Sequence, residues 1–94
     1  MQPITTKVPN QGSVTIGSST TAFLAGNPGR QVLWISNGSD EVIWLGIGQD
    51  AVLNQGIAVW PSSTLVWDVN LNAQAINAIC ASGSKVLSYC EVTN

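Results

Sequence analysis

The sequence predicts an all-β fold, a compact single-domain antiparallel β-sandwich or β-barrel of about eight short strands. The first observation is that short apolar runs rich in Val, Ile, Thr and Trp recur at a spacing of roughly 8–12 residues, which is typical of sandwiches and barrels. The second is that Gly, Pro, Asn and Ser separate these runs, and these residues favour tight turns. The third is the composition of the 94 residues, 45% hydrophobic and only 9% charged, which excludes an intrinsically disordered chain.

The predicted strands follow one another along the chain after residue 12. They are residues 13–16, 19–25, 30–36, 41–47, 56–60, 63–69, 75–81 and 85–93. Residues 70–78 have a composition that allows one helical turn at most. Residues 1–12 hold Pro3 and Pro9 among Gln, Asn and Thr, which predicts an extended N-terminal arm. This arm is either a frayed terminus or a segment that pairs with a neighbouring subunit, and residues 13–94 form a single β domain.

Asn37 and Gly38 predict a β-hairpin over residues 32–47, because Asn-Gly between two apolar runs is the strongest short-range hairpin signal. Alternation along the two arms assigns one set of side chains to the core: Leu33, Ile35, Ile43, Leu45 and Ile47. The opposite set is also apolar and consists of Val32, Trp34, Val42 and Trp44. Antiparallel strands usually have a polar outer face, so we expect something to cover these strands on their second side.

Cys80 and Cys90 flank residues 82–85, Ser-Gly-Ser-Lys, which predict a second hairpin turn. In such a hairpin the two cysteines would be offset along the ladder by more than about 13 Å, at about 3.3 Å per residue. A disulfide requires Cα atoms within about 7 Å of each other. We therefore expect two small buried thiols and no intrachain disulfide.

Four of the aromatic residues are tryptophans: Trp34, Trp44, Trp60 and Trp67. A core of this size rarely encloses four indoles, because each buries up to about 250 Å² and needs a partner for its N–H. Some of them are expected to fill the core or cap its ends. The others are candidate anchors of a protein–protein interface, with Pro3 and Pro9 of the arm as a second contact, or a stacking platform for a sugar.

The composition excludes several classes of function. The formal net charge is −2 and the basic residues are only Lys7, Arg30 and Lys85, so nucleic-acid binding is not expected. The chain has no histidine, which removes the commonest general base and metal ligand. No apolar run approaches the roughly 18 residues of a membrane span, and the first residues do not resemble a signal peptide. We expect a soluble protein that is not an enzyme, with no metal, cofactor or membrane contact.

Five carboxylates remain as candidate polar groups: Asp40, Glu41, Asp50, Asp68 and Glu91. A small hydrolase would need two of them at catalytic spacing, with Asp50 and Asp68 as candidates, but we expect solvated carboxylates at strand ends. Asp40 is expected to fix the loop after Asn37 by accepting backbone N–H bonds. Arg30 is expected to pair with a carboxylate at the surface. Residues 48–51 hold a single carboxylate, which is a weak calcium signal.

The low charge of the surface is the positive functional signal. Polar positions are filled by Ser, Thr, Asn and Gln, so copies of the chain have little like-charge repulsion to keep them apart. The second apolar face and the spare indoles add to this. The sequence therefore predicts a subunit that packs against copies of itself or against another protein surface.

Three segments carry a resemblance to a known group of proteins: RQVLWISN at residues 30–37, GIAVWP at 56–61 and AINAICASG at 75–83. The chain resembles small structural proteins of tailed bacteriophages, most of all head decoration (cement) proteins, over about 65 of its 94 residues. Ser62 and Ser63 stand where such proteins often have Gly after the proline.

The resemblance implies a homo-oligomer, with a trimer expected, that binds the major capsid protein on the capsid exterior of the virion and stabilises the shell. The protein would be made in the host cytoplasm, and no catalytic residues come with the family. The alternative is a carbohydrate-binding or receptor-binding β module of a phage tail or baseplate.

Overall fold

The computed structural model describes residues 8–68 and 73–93. They form eight strands in two antiparallel sheets of four, which confirms the predicted all-β fold as a β-sandwich. Each strand overlaps one of the predicted runs, because Gly, Pro, Asn and Ser interrupt the chain where they were expected to. The strands are β1 (Val8–Ile16), β2 (Thr21–Leu24), β3 (Arg30–Asn37), β4 (Ile43–Ile47), β5 (Ile57–Val59), β6 (Ser63–Trp67), β7 (Ile76–Cys80) and β8 (Lys85–Thr93).

The chain passes repeatedly from one sheet to the other. Sheet A has the strand order β1-β8-β3-β6 and sheet B the order β2-β7-β4-β5. Among the described strands, only β4 and β5 are both consecutive in the chain and neighbours in one sheet. Every other pair of consecutive described strands therefore belongs to different sheets.

The first strand begins within the segment that the sequence assigns to an N-terminal arm. Residues 8–12 are the first half of β1 and pair with β8, where Pro9 lies opposite Val92. Residues 1–7, including Pro3, lie outside the described residues, as do residues 70–72 of the segment whose composition allows a helical turn. The described part of the arm is thus a strand at the edge of sheet A.

The hairpin predicted over residues 32–47 is wrong, because its two arms lie in different sheets. β3 pairs with β6 and β8, whereas β4 pairs with β5 and β7. The chain leaves sheet A at Asn37, whose side chain is 1% exposed. The Asn37 amide donates to the carbonyls of Glu41 and Val59 and accepts hydrogen bonds from the N–H and hydroxyl of Ser39. These bonds hold the crossing loop inside the end of the sandwich.

The core lies between the inner faces of the two sheets. The faces predicted for residues 32–47 are correct, although they belong to opposite sheets: Leu33, Ile35, Ile43 and Leu45 are at most 1% exposed. Further buried side chains come from both sheets and complete one cluster: Ile16, Phe23, Leu24, Val59, Ile76, Ala78, Cys80 and Leu87.

The turn between the two cysteines also joins different sheets, so the second predicted hairpin is wrong. Gly83 and Ser84 have the positive φ angles expected of a turn, 77° and 57°, but β7 belongs to sheet B and β8 to sheet A. Both cysteines are free. Cys80 is buried and its thiol donates to the carbonyl of Ile16, whereas Cys90 is only half-buried, on β8. The two thiols are therefore separated by the sandwich rather than by an offset along one ladder.

One end of the sandwich is closed by a buried ion pair between Arg30 and Glu91. Arg30 Nε donates to Glu91 Oε2 at 2.6 Å. The other guanidinium nitrogens donate to the carbonyls of Gln74 and Ala25, at 3.0 and 2.9 Å. The Arg30 side chain is fully buried, so the surface pair expected from the sequence is an internal one. It fixes the start of β3 to the end of β8 and to the segments before β3 and β7.

Candidate interaction surface

The outward side chains of sheet A form a surface without a charged group, which we call the neutral face. Residues that lie opposite one another in an antiparallel ladder share a face of the sheet. Counted by this rule from the strand register, the neutral face consists of Pro9, Gln11, Ser13 and Thr15 on β1, Val86, Ser88, Cys90 and Val92 on β8, Val32, Trp34 and Ser36 on β3, and Thr64 and Val66 on β6.

Two neighbouring rows of the neutral face differ in chemistry. One row contains the largest side chain of the face and consists of Gln11, Cys90, Trp34 and Val66, on four neighbouring strands. The next row places a hydroxyl on every strand: Ser13, Ser88, Ser36 and Thr64. Within it the oxygens of Ser36 and Thr64 share a hydrogen bond of 2.9 Å. A row that is apolar from Cys90 to Val66 thus lies beside a row of groups that both donate and accept hydrogen bonds.

Trp34 lies at a shallow depression in the neutral face. The depression is lined mainly by residues of the two rows, together with Gly12 and Tyr89. Trp34 is 38% exposed, and the two most exposed valines of the face, Val66 and Val86, are 51% and 48% exposed. At about 25 cal/mol per Å², covering the roughly 90 Å² of indole that is still exposed would contribute about 2 kcal/mol. The face therefore has a single large anchor, Trp34, with smaller apolar side chains around it.

The other three tryptophans lie elsewhere. Trp44 is half-buried on the outer face of sheet B, opposite Ala58 and Ile79. Trp60 follows β5 and is 60% exposed. Trp67 points inward from β6 and packs against the core. Of the candidate interface residues, Trp34 and Pro9 share the neutral face, and the indoles do not form one cluster on it.

Two surface carboxylates fix the loops that cross between the sheets. Asp40 bonds to the ammonium of Lys85 at 2.8 Å. This hydrogen bond and the lysine charge hold the pKa of Asp40 below its ordinary value, and the same bond raises the pKa of Lys85. Asn37 shares the role expected of Asp40 in fixing this loop, because it accepts the backbone N–H of Ser39.

Glu41 joins the same loop to the turn between β7 and β8. Its carboxylate accepts the hydroxyl of Ser82 at 2.6 Å and the N–H of Ser82 at 2.7 Å. These bonds favour the ionised form and lower the pKa of Glu41. With the pair at Asp40 and Lys85, they tie the two crossing loops together.

The remaining candidates for chemistry lie outside the strands. Asp50 is exposed in the loop between β4 and β5, and Asp68 is exposed directly after β6. The β4–β5 loop encloses a pocket of about 180 Å³ that is lined by Gln49, Asp50 and Gln55 together with apolar side chains. Within residues 8–68 and 73–93, no group of three or more Cys, Asp or Glu side chains is placed to hold a metal ion.

Val66 and Val86 are two of the most exposed apolar side chains, and neither was a candidate from the sequence alone. Both stand in strands of alternating pattern, STLVW and KVLSYC, where either set of positions could face inward. Only the pairing with β3 and β1 shows that the valines share a face with Trp34 and Thr15. To identify these two valines as outward residues, one needs the register of strand pairing, which the alternation within a single strand does not give.

Comparisons with protein-family models, with curated proteins and with solved structures find no match for this chain. No helix long and apolar enough to cross a membrane occurs in the described residues.

Proposed function

We propose that this chain is a non-enzymatic structural subunit that decorates the outer capsid surface of a tailed bacteriophage, as a homo-oligomer, and stabilises the shell. The observation that carries the proposal is the neutral face, a four-stranded surface without charge and with Trp34 exposed at its depression. The resemblance of residues 30–37, 56–61 and 75–83 to head decoration proteins supplies the partner, the major capsid protein.

The chemistry of the neutral face suits a protein surface. Interface cores are depleted in charged residues and enriched in aromatic ones, and an uncharged face has no ions to desolvate when it is covered. The hydroxyl row through Ser36 and Thr64 provides hydrogen bonds in either direction. Hydrophobic burial around Trp34 would supply most of the binding free energy.

The size of the face explains why the subunit would act as an oligomer. Four strands spaced about 4.8 Å apart and about eight residues long cover on the order of 500 Å². A standard stable interface buries about 800 Å² on each partner, so one copy would bind the shell weakly. Linking several copies raises the effective concentration of the later contacts and converts weak sites into strong overall binding. The resemblance implies three copies.

The experiment is sedimentation on phage shells. Shells of the phage that encodes this chain are assembled without it, mixed with the purified protein and centrifuged through a sucrose gradient. We expect the protein to sediment with the shells and to raise the temperature at which they open. Trp34→Ser is expected to weaken binding at least tenfold, whereas Trp60→Ser, which removes an exposed indole away from the neutral face, should bind as the wild type does. Absence of co-sedimentation, or equal loss with both variants, contradicts the proposal.

A carbohydrate-binding module is the second candidate, and the depression at Trp34 favours it. An exposed indole beside amide and hydroxyl groups, here Gln11, Ser13 and Ser88, is an arrangement that stacks on a sugar and bonds to its hydroxyls. This function predicts quenching or enhancement of tryptophan fluorescence by soluble glycans in the wild type and in Trp60→Ser, and none in Trp34→Ser. Binding of glycans without any binding to shells would select it.

A further inference from the structure

The four edge strands of the sandwich differ in how they are protected against pairing with another strand. β1 contains Pro9, which lacks an N–H. β2 has only four residues and a register shift after Ala22. β5 has only three residues. Short strands, prolines and bulges are the usual protections of a sheet edge, and each of these three edges has at least one of them.

β6 has no such protection. Its five residues, STLVW, include no proline, glycine or charged residue, and its pairing with β3 is regular over the whole strand. No strand in the described residues pairs with its other side. Val, Thr, Leu and Trp also favour the strand conformation. β6 is therefore an open template for the addition of a further strand.

The side chains of β6 support this interpretation. Leu65 and Trp67 face the core but are only half-buried, whereas Leu33 and Ile35, directly across the ladder, are completely buried. The open flank of the sheet leaves these core-facing side chains partly exposed. Apart from Val86, the exposed large hydrophobic side chains of the described residues belong to β6, to its neighbour β3 or to the loops before and after β5: Val66, Trp34, Val52, Leu53 and Trp60.

We propose that β6 pairs with β6 of a second copy of this chain, antiparallel about a two-fold axis through Leu65. In this register Thr64 of each copy lies opposite Val66 of the other, and Leu65 lies opposite Leu65. In an antiparallel strand, every second residue directs its N–H and C=O groups away from the neighbouring strand. The two residues of each proposed pair are both even-numbered or both odd-numbered, so their backbone groups point away from β3 together and can bond to each other. The two sheets A become one eight-stranded sheet, and their neutral faces join on the same side.

The occupant is a second copy because the sequence of β6 is compatible with antiparallel pairing to an identical strand. β6 carries no charge, so the two copies meet without like-charge repulsion and a charged peptide gains no ion pair. The two-fold places β-branched side chains opposite each other, a favourable cross-strand pair. It also doubles the neutral face to on the order of 1,000 Å², above the size of one standard contact. The pairing uses a different surface from the shell contact, so it can be tested without any shell.

The first test is the solution mass, measured by light scattering from about 1 to 500 µM. We expect the wild type to approach twice the monomer mass, and Val66→Lys to remain a monomer over the range, because a charge on an edge strand opposes pairing. Val86→Lys is the matched control: the same substitution at a similarly exposed valine of the same face, but on β8, an interior strand. It should dimerise as the wild type does, with both variants giving the wild-type far-UV spectrum.

A monomer at every concentration, a trimer, or equal loss of association in both lysine variants overturns the pairing of β6. A trimer would at the same time agree with the number of copies that the resemblance implies. Shell binding by a wild type that forms a trimer would support the proposed function while refuting this inference, so the two fail separately.

The second test reads the register. In a Cys90→Ser background, which removes the thiol from the neutral face, Thr64→Cys and Val66→Cys proteins are oxidised separately and as an equimolar mixture. Across the proposed two-fold the Cα atoms of residues 64 and 66 are about 5 Å apart, within disulfide range. Two copies of residue 66 are about 8 Å apart. We expect the mixture to yield several times more cross-linked dimer than either protein alone, and equal yields would refute the register.

Discussion

Replacing Asn37 with Ala tests whether the crossing between the sheets depends on one buried amide. The substitution removes the donors that satisfy the carbonyls of Glu41 and Val59, both at 2.8 Å, and the acceptor for Ser39. The Val59 bond is buried, and a buried carbonyl without a partner costs about 1–3 kcal/mol. The bonds to Glu41 and from Ser39 are partly exposed and add about 0.5 kcal/mol each, the low end of the range for a hydrogen bond. We therefore expect a loss of about 2–4 kcal/mol in the free energy of unfolding.

Such a loss is a large part of the stability of a domain of this size, about 5–14 kcal/mol. It corresponds to a fall in Tm of about 10–25 °C. The assay is urea denaturation followed by tryptophan fluorescence and far-UV circular dichroism, with the m-value checked for constancy. The control is Asn77→Ala, which removes one exposed hydrogen bond to the carbonyl of Gln49. A loss below about 0.5 kcal/mol at an unchanged m-value would refute the assignment of the crossing to Asn37.

Asn37→Asp removes the two N–H donors of the side chain but keeps its shape, so it tests the donors alone. The carboxylate keeps the volume and the acceptor for Ser39, but it turns an oxygen toward two carbonyls and is buried. Both effects raise the folded-state pKa of the introduced group above the ordinary value of about 3.9. The deficit relative to wild type is therefore full at neutral pH and shrinks as the pH falls through that raised pKa. The deficit of Asn37→Ala should not change over the same range.

The remaining predictions concern other polar contacts and one glycine. Arg30→Met leaves the Glu91 carboxylate buried without its ion pair and should lower the free energy of unfolding by about 3–5 kcal/mol. Combining it with Glu91→Leu should recover part of this loss, measured by the same urea denaturation. Gly46→Ala should lower Tm, because a Cβ would lie 2.6 Å from the carbonyl oxygen of Asp50, whereas Gly38→Ala meets no atom within 4 Å and should be nearly neutral. Asp40→Asn removes a carboxylate whose pKa the fold lowers, so its deficit should be present above the ordinary pKa, vanish as the pH falls through the lowered folded pKa, and shrink in high salt.

The strands were predictable because their signals are local. Each apolar run ends at a residue that leaves extended structure, and the positive φ angles at Asn54 and Gly83 fall between predicted strands. Alternation also identified the inner residues of β3 and β4, since burial follows the period of two whatever the pairing partner. Strand position and inner face are therefore properties that a short window of sequence contains.

Strand pairing was not predictable from the same window. Asn37 and Gly38 favour a tight turn. After such a turn, the next apolar strand can either pair with the first in the same sheet or lie in the opposite sheet. The difference lies in the partners of Asn37, and one of them, Val59, is distant in the chain. For the same reason the turn at Gly83 was correct as a turn and wrong as a hairpin.

The candidate surface was predictable only in its composition. The sequence showed that Trp34 and its neighbours form a second apolar face, and Trp34 is indeed outward and partly exposed. It gave no means of separating Trp67, which packs against the core, from Trp34, because both stand in alternating apolar strands. Arg30 was expected at the surface for a related reason: its partner Glu91 and the carbonyls that bind it come from distant segments.

The neutral face follows from the topology of the chain. Because almost every connection among the described strands leaves one sheet for the other, the loops at the ends of the sandwich need polar groups to satisfy their backbone. The charged groups serve this purpose: Arg30 and Glu91 close one end, while Asp40 and Glu41 bind the crossing loops through Lys85 and Ser82. None of these five charged side chains takes an outward position in the ladders of sheet A. A surface that excludes charge in this way retains its apolar row and its open edge at β6 for contact with other protein.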